Sequence, residues 1–253
     1  MIGAIIGDIV GSRFEFDNTS STDFELFTGD SNYTDDTICT VAIADAILSD
    51  RTYKDSLLDW CRRYPHPMGA YGGMFGKWIH SKDPQPYNSF GNGSAMRVSP
   101  VGWAFEGAAV ETEAMRSAAV THNHQEGQLG AATVARIIYA GRCGEPKERA
   151  ATIGHLPVPS LAEIRAHNSF NETCQVTVPQ AIRCLLDGNS FEEVIRLAVS
   201  IGGDSDTIAA IAGSMAEAFY KIPPEIEAEA KRIVPAEMLD VIVKFQTRYQ
   251  KAE

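Results

Sequence analysis

The spacing of apolar residues along the chain is mostly that of α-helices. Apolar side chains recur three and four positions apart, which places them on one face of a helix. Five segments show this spacing: 37–48, 129–139, 179–186, 191–199 and 208–220. Period-two alternation, the pattern of half-buried strands, is scarce. The sequence therefore predicts an all-α fold, a compact multi-helix bundle.

The rest of the pattern predicts loops and a helix break. Residues 224–250 fit one or two helices, with Pro235 as the break because proline interrupts a helix interior. The segments 17–33, 65–76 and 83–100 are polar or rich in Gly, Pro and Asn and are expected to be loops. There is no Pro/Ser-rich linker, composition shift or repeat of about 20–50 residues, so we predict one domain over residues 1–253.

Composition narrows the class of protein. The chain has 253 residues, 44% of them hydrophobic, and a formal net charge of −11. This is an ordinary globular composition, and the acidic balance argues against nonspecific nucleic-acid binding. The cysteine count is odd, at 5, and no C-x-x-C occurs, which favours a reducing, cytoplasmic location. Residues 1–7 are apolar but lack a basic start, and no run of about 18 apolar residues exists, so neither a signal peptide nor a membrane span is expected.

Two clusters of hydroxyl and carboxyl side chains stand immediately before helical segments. The first is T-D-D-T at residues 34–37, and the second is G-G-D-S-D-T at residues 202–207. Each fits a helix N-cap, with aspartates in the first turn facing the positive end of the helix dipole. For either cluster alone, the capping interpretation is favoured.

The two clusters together favour a metal site. Asp204 and Asp206 can converge only on non-helical backbone, because residues two apart do not share a helix face, and Gly202 and Gly203 permit such backbone. Neither cluster has a Lys or Arg nearby in sequence. Four carboxylates brought together would repel one another unless a cation lay between them. Asp and Thr supply the oxygen ligands that Mg²⁺ and Mn²⁺ prefer, and two such ions about 3.5–4 Å apart could activate a water.

Motifs along the chain resemble the ADP-ribosylglycohydrolase superfamily, which includes the dinitrogenase reductase-activating glycohydrolase. Their order and spacing match from residue 1 to about residue 220. The matching positions are Gly3, Gly7, Asp8, Gly11 and Glu15 (G-x-x-x-G-D-x-x-G and a following glutamate), T-D-D-T at 34–37, G-N-G-x-x-M-R at 91–97, Thr121-His122, and G-G-D-x-D-T at 202–207.

The resemblance implies a compact all-α fold with two divalent cations, Mg²⁺ or Mn²⁺. Four positive charges would roughly offset four carboxylates. The implied catalytic residues are Glu15, Asp35 and Asp206, with Glu15 gating the site or assisting proton transfer. Without the resemblance, Glu15 would be interpreted as a solvated loop carboxylate. The implied metal ligands are Thr34, Asp35, Asp36, Asp204, Asp206 and Thr207.

The resemblance also implies a loop that contacts the diphosphate and the distal ribose of ADP-ribose. A Gly-Asn-Gly turn can direct successive N–H groups at an anion, although the local sequence fits a plain turn equally well. Arg97 could pair with phosphate or brace the loop, and His122 would contact the substrate ribose. The implied substrate-binding residues are Gly91, Asn92, Gly93, Ser94, Met96, Arg97 and His122.

One departure from the family leaves the general base open. Some members carry a further acidic residue between the two metal motifs, and this chain has none from Arg63 to Lys82. Aromatic residues occupy that stretch instead, between Tyr71 and Trp78. They could line the pocket, although core packing is the expected role.

These observations predict a metal-dependent hydrolase that cleaves the C1″ glycosidic bond of ADP-ribose on a protein side chain or a small conjugate. Nucleic acid and membrane are not expected partners. Two alternatives stay open. One is a binuclear-metal phosphoesterase or nucleotide hydrolase, since the same oxygen ligands serve phosphoryl transfer. The other is a non-catalytic ADP-ribose-binding or structural member, against which the complete set of metal ligands argues.

Overall fold

The fold is built from α-helices, as predicted. A computed structural model of the chain describes residues 1–167 and 169–250. In these two ranges there are fifteen α-helices: α1 Ile2–Gly11, α2 Asp35–Ser49, α3 Tyr53–Arg63, α4 Gly73–His80, α5 Gly93–Met96, α6 Ser99–Ala104, α7 Ala108–Ala119, α8 Gln125–Arg142, α9 Lys147–Ala150, α10 Leu161–His167, α11 Cys174–Asp187, α12 Phe191–Ser200, α13 Ser205–Ala216, α14 Pro224–Ile233 and α15 Ala236–Tyr249.

Extended pairing is confined to two single β-bridges in the described part of the chain. Thr34 pairs with Met68, and Gly91 pairs with Thr173. Each bridge ties a segment containing predicted site residues to a distant loop. The all-α prediction is confirmed, and the bridges serve to position loops.

Helices α1 and α13 form the centre of the molecule. Every residue of both is buried, as expected for helices that are apolar on all sides. Their backbones are in contact because α1 carries glycine at three successive i,i+4 positions. A Cβ on Gly7 would collide with the Ala209 carbonyl, and one on Gly11 would lie 2.5 Å from Asp206 Cα. This close packing brings the start of α13 next to the end of α1.

Helix α2 packs beside α1, and one hydrogen bond joins its first turn to that of α13. The Thr207 hydroxyl donates to Asp36 Oδ1 across this junction, at 3.5 Å. Helices α8, α11 and α12 pack around α13, and α3 and α15 pack on α2. The two acidic clusters are thus brought together by the packing of three buried helices.

Several boundaries differ from the sequence prediction. The helix expected over 179–186 begins at Cys174, with Pro179 in its interior. Pro179 cannot donate to the Gln175 carbonyl, but Gln175 is exposed, so water can serve that carbonyl. The predicted loops 65–76 and 83–100 contain the beginnings of α4, α5 and α6. The break at Pro235 is confirmed, since α14 ends at Ile233 and α15 begins at Ala236.

Among the described residues, no helix is both long enough and apolar enough to cross a membrane. All five cysteines are free thiols, four of them buried. The four buried thiols belong to the hydrophobic core and pack there as small apolar side chains.

Candidate metal and substrate site

One cavity of about 340 Å³ opens where α2, α13 and the loops after α1 and before α5 meet. Most of the residues singled out from the sequence line it. These are Glu15, Asp35, Asp36, Gly91, Asn92, Gly93, Met96, Arg97, His122, Asp204, Asp206 and Thr207. Thr34 and Ser94 do not line it. The cavity therefore collects residues that lie up to about 190 positions apart in the sequence.

Asp8 holds the first cluster, residues 34–37, in place through four hydrogen bonds. Its carboxylate accepts from the backbone N–H groups of Thr34 and Thr37, both at 3.0 Å, and from their hydroxyls at 2.6 and 2.5 Å. Thr34 also caps α2, because its hydroxyl oxygen accepts from the Asp36 N–H at 3.2 Å. The capping interpretation of Thr34 is therefore correct. One lone pair of the Thr34 oxygen is left over for a cation.

The second cluster has the non-helical backbone that its sequence predicts. Gly202 and Gly203 have φ values of 73° and 78°, the left-handed region that glycine tolerates best. Asp204 follows at φ −78° and ψ 71°, and Asp206 lies in the first turn of α13. Both carboxylates therefore reach the same cavity although they are two residues apart.

Asn18 holds this second cluster in place. Its side-chain amide donates to the Gly203 carbonyl at 3.0 Å, and its Oδ1 accepts from the Gly203 N–H at 2.8 Å. The amide also approaches the Ser205 hydroxyl at 3.3 Å. The sequence prediction did not single out Asn18, because it stands in a polar loop with no pattern of its own.

The assembled oxygens fit a cation. Carboxylate oxygens of Glu15, Asp204 and Asp206 lie within 4.8 Å of one another. Asp36 Oδ2 and Asp206 Oδ1 are buried with no hydrogen-bond partner, which is costly for a charged oxygen unless something else serves it. Within the described ranges, no Lys, Arg or His forms an ion pair with these carboxylates. An all-oxygen set of this kind suits a hard divalent cation.

Burial and mutual repulsion raise the pKa values of the cluster. Burial first, then neighbouring carboxylates, raise the pKa of Asp35, Asp36 and Asp206 well above the ordinary value. Burial also raises the pKa of Asp204, against hydrogen bonds that lower it. For Glu15, burial and the charges of Asp204, Asp8 and Glu172 raise the pKa to about 7. A cation would reverse these shifts by favouring the charged forms.

The Gly-Asn-Gly loop is tied directly to the acidic cluster. The Asn92 side-chain amide donates to Asp204 Oδ2 at 2.6 Å. The Asn92 backbone N–H donates to the Glu172 carbonyl at 2.7 Å, next to the Gly91–Thr173 bridge. The Ser94 hydroxyl donates away from the cavity, to the Gly127 carbonyl at 2.7 Å. The loop is thus a braced structure, and its contact with substrate stays a prediction.

A buried relay orients His122. Arg97 donates to the Ser117 carbonyl at 3.3 Å and to the Thr121 hydroxyl at 2.9 Å. Of the two roles expected for Arg97, phosphate binding and bracing of the Gly-Asn-Gly loop, these bonds fit the second. Thr121 Oγ1 lies 2.7 Å from His122 Nδ1. Because burial and the Arg97 charge lower the pKa of His122 well below 6.5, the ring is neutral. The Thr121 hydroxyl can then donate to Nδ1, which leaves Nε2–H as the donor beside Gly93.

Other cavity residues were not identified as site residues from the sequence. Asp8 belongs to the first family motif but was given no role. The signal that could have identified it is a carboxylate inside an otherwise apolar helix. Glu172, Phe16 and Phe170 lie in loops and line the cavity. In the aromatic stretch, Trp78 is buried in the core as expected, whereas Phe75 is buried and also lines the cavity. The cavity is also lined by Gly69, Ala70, Tyr71, Gly72, Gly73 and Met74.

Comparison with known proteins defines the class to which this fold and site belong. A family model described as ADP-ribosylglycohydrolase matches residues 1–248. The chain belongs to the ADP-ribosylglycohydrolase family, and it is a hydrolase that acts on glycosyl bonds.

Relatives with assigned names span most of the chain. ADP-ribosylarginine hydrolase Tri1 of Pseudomonas putida (strain GB-1) is 26% identical over 89% of this chain and 71% of its own. ADP-ribosylhydrolase ARH3 of Homo sapiens is 24% identical over 100% of this chain and 93% of its own. The solved structure of an ADP-ribosylglycohydrolase-related protein complex aligns with a TM-score of 0.73 at 23% identity, covering 97% of this chain and 96% of that one. At that identity the structural likeness supports the fold.

Proposed function

We propose that this chain is a metal-dependent hydrolase that cleaves the C1″ glycosidic bond of ADP-ribose attached to a protein side chain or a small conjugate. One observation carries the proposal. Two pairs of carboxylates, Asp35 with Asp36 and Asp204 with Asp206, converge in one cavity, and two of their buried oxygens have no hydrogen-bond partner. The names of the relatives, which include an ADP-ribosylarginine hydrolase, support ADP-ribose as the group recognised.

The proposed cofactors are two divalent cations, Mg²⁺ or Mn²⁺. Bound cations would supply positive charge that polarises a water molecule and the hydroxyls of the distal ribose. Both ions accept oxygen ligands of this kind. The residues proposed to hold them are Thr34, Asp35, Asp36, Asp204, Asp206 and Thr207.

The protein's own groups have distinct roles in this proposal. Glu15 is half-buried beside the cluster and takes the proton of the attacking water. Asp35 and Asp206 stabilise the positive charge that develops at C1″ as the bond breaks. Asn92 holds Asp204 in position through their 2.6 Å hydrogen bond. His122 donates from Nε2 to an oxygen of the bound ADP-ribose.

The Gly-Asn-Gly loop is proposed to bind the diphosphate and the distal ribose. Gly93 leaves room for the close approach of His122 to this loop, since a Cβ on Gly93 would lie 3.2 Å from His122 Nε2. The proposed partner is an ADP-ribosylated protein or small conjugate, with no role for nucleic acid. We treat residues 1–253 as one domain because the buried apolar residues form one continuous core, and we expect a cytoplasmic location because the cysteines are unpaired.

The experiment that tests the proposal identifies the bond that is broken. ADP-ribosylated peptides are incubated with the protein and Mg²⁺, and both products are weighed by mass spectrometry. Glycosidic cleavage gives free ADP-ribose and a peptide at its unmodified mass. A peptide that retains phosphoribose, with release of AMP, would indicate a phosphoesterase instead. A protein that binds ADP-ribose and cleaves no bond would be a non-catalytic member of the family.

A further inference from the structure

The side-chain amide of Asn18 joins two parts of the site that lie 185 residues apart in the sequence. Asn18 Nδ2 donates to the Phe14 carbonyl at 2.6 Å and to the Gly203 carbonyl at 3.0 Å. Asn18 Oδ1 accepts from the Gly203 N–H at 2.8 Å. An amide group carries two N–H donors, so the two shortest contacts of Nδ2 account for both of them. One donor serves the segment of Glu15, and the other serves the turn before Asp204.

On the first side, Asn18 closes the turn that carries Glu15. A short 3₁₀ helix, Ser12–Phe14, follows α1, and Glu15 continues it with φ −54° and ψ −47°. The last carbonyls of a helix need donors from outside the helix. The Asn18 amide supplies one to Phe14 and lies 3.3 Å from the Glu15 carbonyl. The direction in which the Glu15 side chain leaves the backbone therefore depends on Asn18.

On the second side, Asn18 holds the Gly203 residue by both its N–H and its carbonyl. Gly202 and Gly203 have left-handed φ values, and glycine has more conformational freedom to lose than any other residue. A Cβ on Gly202 would lie 3.2 Å from Asn18 Oδ1, so the amide packs closely on this turn. Because Asp204 follows directly, the contact fixes the point at which the Asp204 backbone begins.

The position of the Glu15 carboxylate relative to Asp204 depends on these backbone contacts. Carboxylate oxygens of Glu15, Asp204 and Asp206 lie within 4.8 Å of one another, and like charges at such distances repel. On its other side Glu15 meets Gly69, where a Cβ would lie 2.6 Å from Glu15 Oε2. Gly69 limits the space of the carboxylate but has no side chain to bond it. Asn18 connects the two backbones from which the repelling carboxylates extend.

We propose that Asn18 is a positioning residue that sets the distance between the Glu15 carboxylate and Asp204, and so holds Glu15 where it accepts the proton of the attacking water. This role rests on the proposed function, since it serves the part given there to Glu15. Asn18 acts through Glu15 rather than by touching the reacting atoms. A displacement of about 1 Å at a reacting group can lower a rate about a hundredfold.

The test uses variants that change the amide and keep the fold. Asn18 is exposed, so its variants should melt close to the wild type, as surface substitutions usually do. Asn18→Ala removes the bonds on both sides. Asn18→Asp keeps an acceptor for the Gly203 N–H but directs a second oxygen at the Phe14 and Gly203 carbonyls. The matched control is Ser21→Ala, because Ser21 is exposed in the same loop and bonds locally, to the Asp23 N–H at 3.0 Å.

Amide hydrogen exchange of the metal-free protein, followed by NMR, measures the contact independently of activity. The Gly203 N–H is protected while it is bonded to Asn18 Oδ1 and exchanges when that contact opens. We expect Asn18→Ala to raise its exchange rate at least about tenfold, since a local opening then costs less free energy. Asn18→Asp should raise the rate as well, because its second oxygen repels two carbonyls. Ser21→Ala should leave the rate unchanged.

Release of ADP-ribose from an ADP-ribosylated peptide at saturating Mg²⁺ then gives kcat and KM. Asn18→Ala should lower kcat about tenfold and change KM less than about twofold, because the interaction it removes acts in the transition state. Glu15→Gln should lower kcat about a hundredfold or more, the usual contribution of a general base. Adding Asn18→Ala to Glu15→Gln should lower kcat by less than about twofold further, since residues that act as one unit are not additive.

Three results would overturn the positioning role. They are an unchanged exchange rate of the Gly203 amide in Asn18→Ala, an unchanged kcat in that variant, and a further loss of about tenfold when Asn18→Ala is added to Glu15→Gln, which would show independent action. In each of them the wild type still releases ADP-ribose, so the proposed function survives. A wild type that releases no ADP-ribose would instead remove the proposed function, and with it the part of Glu15 that Asn18 serves.

Discussion

The Asn92 side chain donates a 2.6 Å hydrogen bond to the Asp204 carboxylate and so joins the Gly-Asn-Gly loop to the acidic cluster. The two residues are 112 positions apart and both are buried. The bond engages Asp204 Oδ2 and fixes the direction in which the carboxylate faces. Substrate loop and acidic cluster therefore act as one unit.

Replacing Asn92 should loosen this unit without unfolding the protein. Asn92→Ala removes a hydrogen bond to a charged group, which typically contributes about 1.5–3 kcal/mol. We expect the Mg²⁺ concentration for half-maximal activity to rise at least about tenfold. The control is Asn189→Ala, which removes an exposed Asn–Glu193 contact at 3.3 Å and should leave the Mg²⁺ requirement unchanged. An equal requirement in both variants would show that Asn92 does not position Asp204.

The Asp206→Asn variant tests whether Asp206 is a metal ligand or a residue that only caps a helix. Asparagine is nearly isosteric with aspartate and is a good residue at a helix start. Because burial and nearby carboxylates raise the pKa of Asp206, Asp206→Asn should raise the melting temperature of the metal-free protein. Each 1 kcal/mol of relieved repulsion corresponds to about 2–4 °C for a chain of this size.

With Mg²⁺ added, the order should reverse, because a cation bound only by the folded state stabilises it by mass action. The wild type should gain far more than Asp206→Asn. The matched control is Asp240→Asn, at an exposed aspartate that pairs with Lys244, which should melt and respond to Mg²⁺ as the wild type does. An undiminished Mg²⁺ shift in Asp206→Asn would return Asp206 to a capping role.

Much of this arrangement follows from the sequence, and the parts that do not are informative. The T-D-D-T and G-G-D-S-D-T segments predicted both their helix-start positions and their convergence, because paired carboxylates without basic neighbours need a cation. The positions of Asn18, Phe16 and Phe170 at the cavity were not predictable, because each lies in a loop without periodicity. Asn18, for example, binds Gly203, which is 185 residues further along the chain.

The helix boundaries, too, were predictable from the sequence only in part. Pro235 broke the C-terminal helix as predicted, because a proline in a helix interior removes a hydrogen bond. Pro179 did not, because exposed Gln175 lets water replace that bond and the buried face of α11 holds the helix together. Local helix propensity alone could not distinguish these two prolines, because tertiary packing determines whether a helix continues through a proline.

The glycines of α1 set the distance between α1 and α13. Gly7→Ala would gain about 1 kcal/mol of helix propensity, but its Cβ would collide with the Ala209 carbonyl. Overpacking of this kind costs about 1–3 kcal/mol or more, and backbone cannot move aside as a side chain can. We expect a lower free energy of unfolding in urea and weaker Mg²⁺ binding.

Gly29→Ala is the control, because a Cβ at Gly29 meets nothing within 4 Å. It should leave stability within about 0.5 kcal/mol of the wild type, as surface substitutions usually do. If Gly7→Ala were as stable as Gly29→Ala, the contact between α1 and α13 would not be close packed.

The acidic cluster should make the metal-free protein less stable as pH rises. The pKa of Glu15 moves from 4.5 to about 7 on folding, and the pKa values of Asp35 and Asp36 are raised as well. Between pH 4.5 and about 7 these carboxyls therefore bind more protons in the folded state than in the unfolded chain, so their contribution to the free energy of unfolding falls with increasing pH.

Melting temperature measured from pH 5 to pH 8 in a chelator checks this dependence. The downward slope should flatten when Mg²⁺ is added, because a cation stabilises the charged carboxylates. It should also flatten in the Glu15→Gln/Asp206→Asn double variant without metal. A chelated wild type that became more stable from pH 5 to pH 7, with the double variant following the same curve, would contradict the raised pKa values.

The release of free ADP-ribose from an ADP-ribosylated peptide, before and after metal removal, tests the central claim most directly. The protein is exhaustively chelated and dialysed, and ADP-ribose is quantified by chromatography with no addition, with Mg²⁺ and with Mn²⁺. We predict release at less than about one hundredth of the original rate after chelation, and recovery with at least one of the two ions, because water activation by a bound cation contributes several kcal/mol. Full release of ADP-ribose by the chelated protein would contradict a metal-dependent centre at the junction of α2 and α13.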